Sequence, residues 1–165
     1  MTVARVAIVT VSDRSARGER EDLTGPRLAA AVAAAGHDVV RQAVVEDDPD
    51  RLRGELEGLA DGALVAPPPD IVLTAGGTGL GPRDHTPEAT RAAISREAPG
   101  LGEAVRAAAR QRTPHADLSR GIAGIRGGTL IVNLPGSPGG GEDGWRAIEA
   151  TVGHAAEQLR GHDHG

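Results

Sequence analysis

The chain lacks cysteine, phenylalanine and tyrosine, has no lysine among its 18 basic residues, and carries one tryptophan in 165 residues. Without cysteine it cannot form a disulfide framework, a thiol nucleophile or a thiolate metal site. Without lysine it cannot form a catalytic Schiff base or a Walker-type phosphate loop, because both depend on a lysine amine. The scarcity of aromatic rings excludes single-stranded nucleic-acid binding that is driven by base stacking.

The charge balance is acidic: 18 basic and 23 acidic residues give a formal net charge of −5, which disfavours nucleic acid as a partner. No apolar run approaches the roughly 20 residues of a transmembrane helix, and no signal-peptide pattern opens the chain. We therefore expect a cytoplasmic protein that binds neither a membrane nor a nucleic acid. The length predicts one domain over 1–160, with 161–165 as a flexible tail.

Short β-branched runs alternate with amphipathic stretches along the chain. Strands are predicted over 6–11, 38–45 and 71–74, and Gly127-Gly128 predicts a hairpin turn between strands at 122–125 and 129–134. Helices are predicted over 23–35, after the N-cap Asp48, from the N-cap Thr86, over 101–112 and over 145–159. The alternation predicts a three-layer, doubly wound α/β fold whose sheet is mostly parallel with one antiparallel hairpin strand.

In such a sheet, ligands bind beyond the carboxyl ends of the strands, so the loops after strands are the candidate sites. The strongest candidate is 74–90, T-A-G-G-T-G-L-G-P-R-D-H-T-P-E-A-T. Successive glycines bring backbone amides close to an anion, a helix start adds unpaired N–H groups, and an arginine suits phosphate oxygens. The predicted nucleotide-phosphate residues are Gly76, Gly77, Thr78, Gly79, Arg83 and Thr86.

Two aspartates are candidates for catalysis. Asp84 lies beside the predicted phosphate loop, where a carboxylate repels phosphate unless it holds a divalent cation or activates a nucleophile. Asp47 belongs to an acidic run that follows the second predicted strand. If the two converge, they can share a Mg²⁺ ion. The alternatives are a turn or capping role for Asp84 and a solvated acidic turn around Asp47.

Two further loops follow strands. Ser12 and Asp13 follow the first strand, where a turn with Asx-type hydrogen bonds is the alternative. The other loop holds Asn133, Gly136, Ser137 and Pro138; it is a second possible anion site, with a proline-rigidified connection as the alternative. A nicotinamide-dependent oxidoreductase is disfavoured, because Pro82 stands where the dinucleotide fingerprint needs its last glycine.

Six stretches, in order along the chain, carry a family resemblance: V-S-D-R at 11–14 with Gly18, Asp22 and Gly25; V-E-D-D at 45–48; D-I-V-L-T-A-G-G-T-G-L-G-P-R-D-H-T-P-E-A-T at 70–90; P-G-L-G-E-A at 99–104; L-S-R-G at 118–121; and L-I-V-N-L-P-G-S-P at 130–138. With these motifs the chain resembles the molybdopterin adenylyltransferases of molybdenum cofactor biosynthesis, the MogA/MoaB family. His85 departs from the apolar residue expected at its position.

The resemblance implies an enzyme that transfers AMP from MgATP to the terminal phosphate of molybdopterin and releases pyrophosphate. Position by position, Asp47 and Asp84 match the family's essential acids, and 76–79 match its nucleotide-phosphate loop. Ser12, Asp13, Gly136, Ser137 and Pro138 match positions that line the pterin and nucleotide pocket. The resemblance also implies a homotrimer and hand-off of the product to a molybdenum-inserting enzyme. A non-catalytic molybdopterin-binding paralogue or scaffold of the same family is the alternative.

Overall fold

The computed structural model describes residues 1–161, whose strands form one six-stranded sheet in the order β2-β1-β3-β6-β5-β4. The strands are β1 Arg5–Val11, β2 Asp38–Val45, β3 Ile71–Ala75, β4 Arg96–Glu97, β5 Ala123–Arg126 and β6 Thr129–Leu134. Strands β2, β1, β3 and β6 are parallel to one another, and β5 is antiparallel to both β6 and β4. The mostly parallel sheet with an antiparallel hairpin is therefore confirmed.

Helices cover both faces of this sheet. They are α1 Asp13–Ala16, α2 Thr24–Ala34, α3 Pro49–Ala60, α4 Thr86–Ala93, α5 Pro99–Arg110 and α6 Pro138–Leu159, with a 3₁₀ helix at Pro114–Leu118. Side chains of α2, α5 and α6 form one apolar cluster with the sheet, and side chains of α3 and α4 form a second cluster on the opposite face. The result is the predicted three-layer α/β architecture.

The central strands are buried on both faces, as their uninterrupted apolar runs predict. In β1, Val6 and Ile8 belong to the first cluster, while Ala7 and Val9 belong to the second. The single tryptophan, Trp145 on α6, is fully buried in the first cluster. Because both faces of β1, β3 and β6 are packed, the loops that follow these strands start from fixed positions.

Several local predictions are confirmed. The Asp48 side chain caps α3 by accepting hydrogen bonds from the amides of Asp50 and Arg51 at 3.1 and 2.9 Å. The hairpin joins β5 to β6 through Gly127-Gly128, and Gly127 has the positive φ of 57° that a primed turn requires.

The prediction that Thr86 caps α4 is wrong, because His85 occupies the cap position and Thr86 is the first helical residue. The helix predicted over 101–112 begins two residues earlier: Pro99 is the first residue of α5, and a two-residue strand, β4, separates this helix from α4. Proline is well suited to a first helical turn, where its missing N–H is not needed.

The single domain over 1–160 stays a prediction. Apart from Gly161, the predicted tail lies outside the described residues. Within the described part of the chain, no helix has the length and apolar character that crossing a membrane requires.

Candidate functional site

The strand order reverses between β1 and β3, because β2 lies on one side of β1 while β3 and β6 lie on the other. In doubly wound folds the crevice beyond the carboxyl ends at this point is where ligands bind. The loop after β1 begins with Ser12 and Asp13, and the loop after β3 begins with Gly76 and Gly77. Asp47 follows the neighbouring strand β2.

The glycine loop over 76–79 has a backbone that only glycine adopts without strain. Gly76 and Gly77 have φ values of 111° and 68°. A Cβ on Gly76 would lie 2.4 Å from the carbonyl oxygen of Val11. A Cβ on Gly77 would lie 2.3 Å from Thr86 Oγ1 and 2.4 Å from Asp47 Oδ2. The glycines therefore let this loop pack directly against β1 and the start of α4.

Thr86 ties the glycine loop to α4. Its buried hydroxyl donates to the Gly76 carbonyl at 2.8 Å, and its amide donates to the Gly77 carbonyl at 3.1 Å. Thr86 was predicted to bind phosphate directly, but its hydroxyl proton is already donated to Gly76. Thr86 therefore holds in place the loop whose amides can bind phosphate.

The loop leaves a row of amides free. Within residues 1–161, the N–H groups of Gly77, Thr78, Gly79 and Leu80 donate to no protein acceptor. Consecutive unpaired amides of this kind form a concavity that suits an anion. The loop therefore has the chemistry predicted for binding phosphate.

Gly77→Ala is expected to destabilise the protein by about 2 kcal/mol or more, because φ > 0 and the two close contacts both oppose a side chain. The sequence alone suggests that a side chain here would merely obstruct a ligand. The structure places the obstruction inside the protein, against Asp47 and Thr86.

Thermal unfolding measures the loss of stability in Gly77→Ala, and Gly54→Ala is the matched control. Gly54 lies exposed in α3 with open space around it, so alanine there leaves stability unchanged or raises it slightly. Equal melting temperatures for the two variants would contradict the prediction.

Asp47 is buried beneath the glycine loop, with 5% of its surface exposed. Its Oδ1 accepts a hydrogen bond from the His85 amide at 3.0 Å, and its own amide donates to Asp13 Oδ1 at 2.9 Å. Burial raises the pKa of Asp47 to about 6, and the nearby charges of Asp84 and Asp13 add to the rise, while the His85 hydrogen bond opposes it.

Asp84 lies at the outer side of the same loop. Its Oδ2 accepts from the Gly81 amide at 2.8 Å, and a Cβ on Gly79 would lie 2.9 Å from this oxygen. Because Asp47 bonds to the amide of the residue after Asp84, the structure brings both predicted acids to one loop.

The carboxylates of Asp47 and Asp84 can supply some, but not all, of the ligands that a magnesium ion needs. Two carboxylates supply the oxygen ligands that Mg²⁺ prefers, and Mg²⁺ in nucleotide sites takes its other ligands from water and substrate phosphates. Among the described residues there is no group of three or more His, Asp or Glu side chains close enough to hold a metal by themselves. A cation here would therefore depend on the substrate for its remaining ligands.

Arg83 is committed to Asp13. Its Nε and Nη2 donate to the two carboxylate oxygens at 3.1 and 3.0 Å. This pairing lowers the pKa of Asp13 and keeps its carboxylate ionised. The two residues, predicted separately as phosphate and pocket residues, thus form one ion pair that joins the loops after β1 and β3.

The predicted pocket hydroxyls both cap helices. Ser12 Oγ accepts from the Ser15 amide at 3.2 Å, and Ser137 Oγ accepts from the Gly140 amide at 3.1 Å. Pro138 is the first residue of α6. Each hydroxyl keeps its own proton for a ligand.

Gly136 brings the loop after β6 against the glycine loop. A Cβ on it would lie 2.9 Å from the Gly76 Cα, so the two backbones approach without side chains between them. Its carbonyl accepts the hydroxyl proton of Thr24 at 2.8 Å.

Asn133 does not reach the site. It is 2% exposed, and its amide group donates to the hydroxyls of Thr74 and Thr90 at 3.0 and 2.9 Å. Its Oδ1 accepts from the Ile122 amide at 3.1 Å. These bonds use the polar atoms of the side chain inside the protein, so Asn133 joins strands and α4 and is unavailable to a ligand.

A cavity of about 310 Å³ opens beside the two loops. Thr78, Gly79, Gly136 and Ser137 line one side of it. The other side is formed by α5, the 3₁₀ helix and the start of α6, through residues that include Val105, Arg106, Ala109, Arg112, His115, Ala116, Leu118, Ser119 and Asp143. The loop side of the cavity was predictable from the sequence, whereas the helical side has no motif of its own and was not predicted.

Arg120 is a second part of the site that was not predicted from the sequence. It lies between the 3₁₀ helix and β5, and its side chain crosses to the glycine loop and bonds to the carbonyl oxygens of Gly79 and Asp84, each at 2.8 Å. The only sequence signal for it is its place in the L-S-R-G stretch.

Comparison with known proteins places this arrangement in context. The family model described as "Probable molybdopterin binding domain" matches residues 7–154. A molybdopterin adenylyltransferase of Helicobacter pylori is 35% identical over 140 residues, which are 84% of this chain and 77% of that protein. The crystal structure of the molybdopterin biosynthesis enzyme MoaB from Thermus thermophilus superposes with a TM-score of 0.87 at 44% identity, covering 96% of this chain and 98% of that one.

Longer relatives also match. A molybdenum cofactor biosynthesis bifunctional protein of Synechococcus elongatus is 34% identical over 158 residues. The match covers 96% of this chain and 48% of that protein, so the chain spans about half the length of this relative.

Proposed function

The chain belongs to the molybdopterin-binding domain family of molybdenum cofactor biosynthesis, and from this premise we propose that it is a molybdopterin adenylyltransferase. It transfers AMP from ATP to the terminal phosphate of molybdopterin. The observation that carries the proposal is the row of unpaired amides at 77–80, flanked by the carboxylates of Asp47 and Asp84 and opening beside a cavity.

The reaction needs little covalent work from the protein. A phosphate oxygen of molybdopterin forms a bond to the α-phosphorus of ATP, and the bond from that phosphorus to the bridging oxygen breaks, so that pyrophosphate leaves with the electron pair. Positioning and charge neutralisation supply most of the rate in such transfers. A bound Mg²⁺, held by Asp47 and Asp84, would neutralise charge on the nucleotide phosphates.

Different residues of the chain position the two phosphates and neutralise their charge. The free amides at 77–80 bind phosphate oxygens, and Thr78 and Gly79 of this loop line the cavity. Ser137, at the start of α6, offers a second polar group on the same side of the cavity. Two anion-binding loops that share one cavity suit a reaction between two phosphates.

The cavity suits the heterocycle of one substrate. Its volume of about 310 Å³ lies at the lower end of small-molecule sites, and Val105, Ala109, Ala116 and Leu118 give it an apolar wall. Arg106 and His115 add polar groups at its lining. We assign this cavity to molybdopterin, whose flat pterin packs on the apolar wall while its phosphate reaches the glycine loop.

Direct assay tests the function. The purified protein is incubated with molybdopterin and MgATP labelled at the α-phosphate, and the label is followed. Transfer of AMP to the pterin with release of pyrophosphate supports the proposal. Binding of molybdopterin without transfer overturns it in favour of the non-catalytic paralogue.

AMP transfer is expected to fall as the pH drops through about 6, because Asp47 takes up a proton there. An exposed aspartate would stay ionised to about pH 4. Substrate phosphates also titrate near pH 6, so the pH profile of the rate does not by itself identify the group that titrates. Carboxyl ¹³C NMR of the protein without substrate measures the pKa of Asp47 directly. An Asp47 midpoint close to 4 would contradict this origin for the pH dependence.

Three further proposals follow from the family resemblance. The protein works in the cytoplasm, it assembles as a homotrimer, and it passes adenylylated molybdopterin to a molybdenum-inserting enzyme. Analytical ultracentrifugation tests the trimer.

A further inference from the structure

Arg120 bonds to the backbone of the glycine loop and its continuation at three points. Its Nε donates to the Gly79 carbonyl and its Nη2 to the Asp84 carbonyl, each at 2.8 Å. Its own amide donates to the Thr78 carbonyl at 2.8 Å. Its Nη1 pairs with Glu88 on α4. One residue thus holds both ends of the segment from Thr78 to Asp84.

These contacts decide which way the free amides point. In a trans peptide, the C=O of one residue and the N–H of the next are antiparallel in one plane. Arg120 binds the carbonyls of Thr78 and Gly79, so the N–H groups of Gly79 and Leu80 must point away from it. These are two of the four amides that have no acceptor in the described chain.

The same side chain fixes the backbone of Asp84. Asp84 donates its amide to the Gly81 carbonyl at 3.0 Å and accepts the Gly81 amide with its carboxylate at 2.8 Å. This local turn holds the shape of 81–84 but does not anchor it to the rest of the protein. The bond from Arg120 to the Asp84 carbonyl supplies an anchor.

We propose that Arg120 is a positioning residue for the adenylyl transfer: it aligns the phosphate-binding amides and Asp84 without touching the substrate. This inference rests on the proposed function and adds a residue to it. A planar guanidinium suits the task, because its donors reach two carbonyls and a carboxylate in fixed directions, whereas the lysine ammonium is a single point of attachment.

The test compares Arg120→Gln with Arg126→Gln. Arg126 is a matched control, since it also bonds to a carbonyl, that of Ala93 at 2.9 Å, and to a carboxylate, that of Asp61. Its side chain is 30% exposed, against 34% for Arg120, and it lies on β5 away from the glycine loop. Both variants lose an exposed ion pair; Arg126→Gln also loses one bond to a carbonyl oxygen and Arg120→Gln loses two.

We expect Arg120→Gln to lower kcat for AMP transfer, per folded protein, by about 10- to 100-fold, because small misplacements of reacting groups have effects of this size. Arg126→Gln retains kcat and KM, and Arg120→Lys recovers part of the loss. Amide hydrogen exchange at Gly81 and Asp84, whose N–H groups are hydrogen-bonded within the turn, accelerates in Arg120→Gln only. Glu88→Gln, which removes the ion pair and leaves the carbonyl contacts, changes kcat by less than about threefold.

Three outcomes would overturn the inference: unchanged kcat in Arg120→Gln, losses that match Arg126→Gln, or a loss in Glu88→Gln as large as that in Arg120→Gln. Calorimetric binding of inorganic pyrophosphate separates this inference from the proposed function. If the wild type fails to transfer AMP but Arg120→Gln binds pyrophosphate at least about tenfold more weakly, the proposed function fails while the positioning of the loop by Arg120 stands.

Discussion

Asp84→Asn is expected to fold normally and to lose at least about 100-fold of the rate of AMP transfer. The side chain is at the surface of the loop, and asparagine can still accept the Gly81 amide, so the turn over 81–84 survives. What the variant loses is negative charge: a neutral amide is a weak ligand for Mg²⁺.

Initial rates and nucleotide affinity together measure this effect. In excess chelator, Asp84→Asn and the wild type should bind ATP alike, whereas added Mg²⁺ should tighten binding in the wild type only. Asp61→Asn is the control, because Asp61 is an aspartate paired with Arg126 far from the loop. Near-normal turnover in Asp84→Asn would remove Asp84 from the mechanism.

Asp47→Asn is expected to abolish most AMP transfer and at the same time to stabilise the protein at pH 8 by about 1–2 kcal/mol. Burial raises the pKa of Asp47 from 3.8 to about 6, so the folded protein binds this proton more tightly than the unfolded chain does. The free energy of unfolding therefore falls as the pH rises between these two values and stays low above them. Asparagine carries no charge, so the variant avoids the loss of stability that the buried, ionised carboxylate causes at high pH.

Thermal unfolding at pH 8 and pH 5 checks the prediction. The melting temperature of Asp47→Asn should exceed that of the wild type by about 4 °C at pH 8, with a smaller difference at pH 5. Asp48→Asn is the control, since asparagine caps a helix as well as aspartate does. A gain in stability that is equal at both pH values would show that burial of charge is not its cause.

The parts of the fold that depend on local chemistry could be predicted from the sequence. The β-branched runs located the buried strands, and Asp48-Pro49 and Gly127-Gly128 marked a helix start and a hairpin. The pattern around Thr86 also looked like a helix cap. Its hydroxyl instead bonds to Gly76, a contact between residues ten apart that no local pattern contains.

The candidate site was predictable only where it lies in loops after strands. Asn133, at the end of a strand, was predicted as part of a second anion site, but its side chain points into the protein and bonds to Thr74 and Thr90. Arg120 stands 41 residues from Gly79 in the chain, and only the folded sheet brings them together. Side-chain direction and long-range contact are the two facts that periodicity and composition do not encode.

The backbone contact between Gly76 and Gly136 has a consequence for how the reaction is organised. The loops that would carry the two reactants extend from β3 and β6, which are hydrogen-bonded neighbours in the sheet. In the proposed reaction, the pairing of β3 with β6 would therefore fix the distance between the two phosphorus atoms that react. A side chain at Gly136 would push the two loops apart, and with them the reactants that they bind.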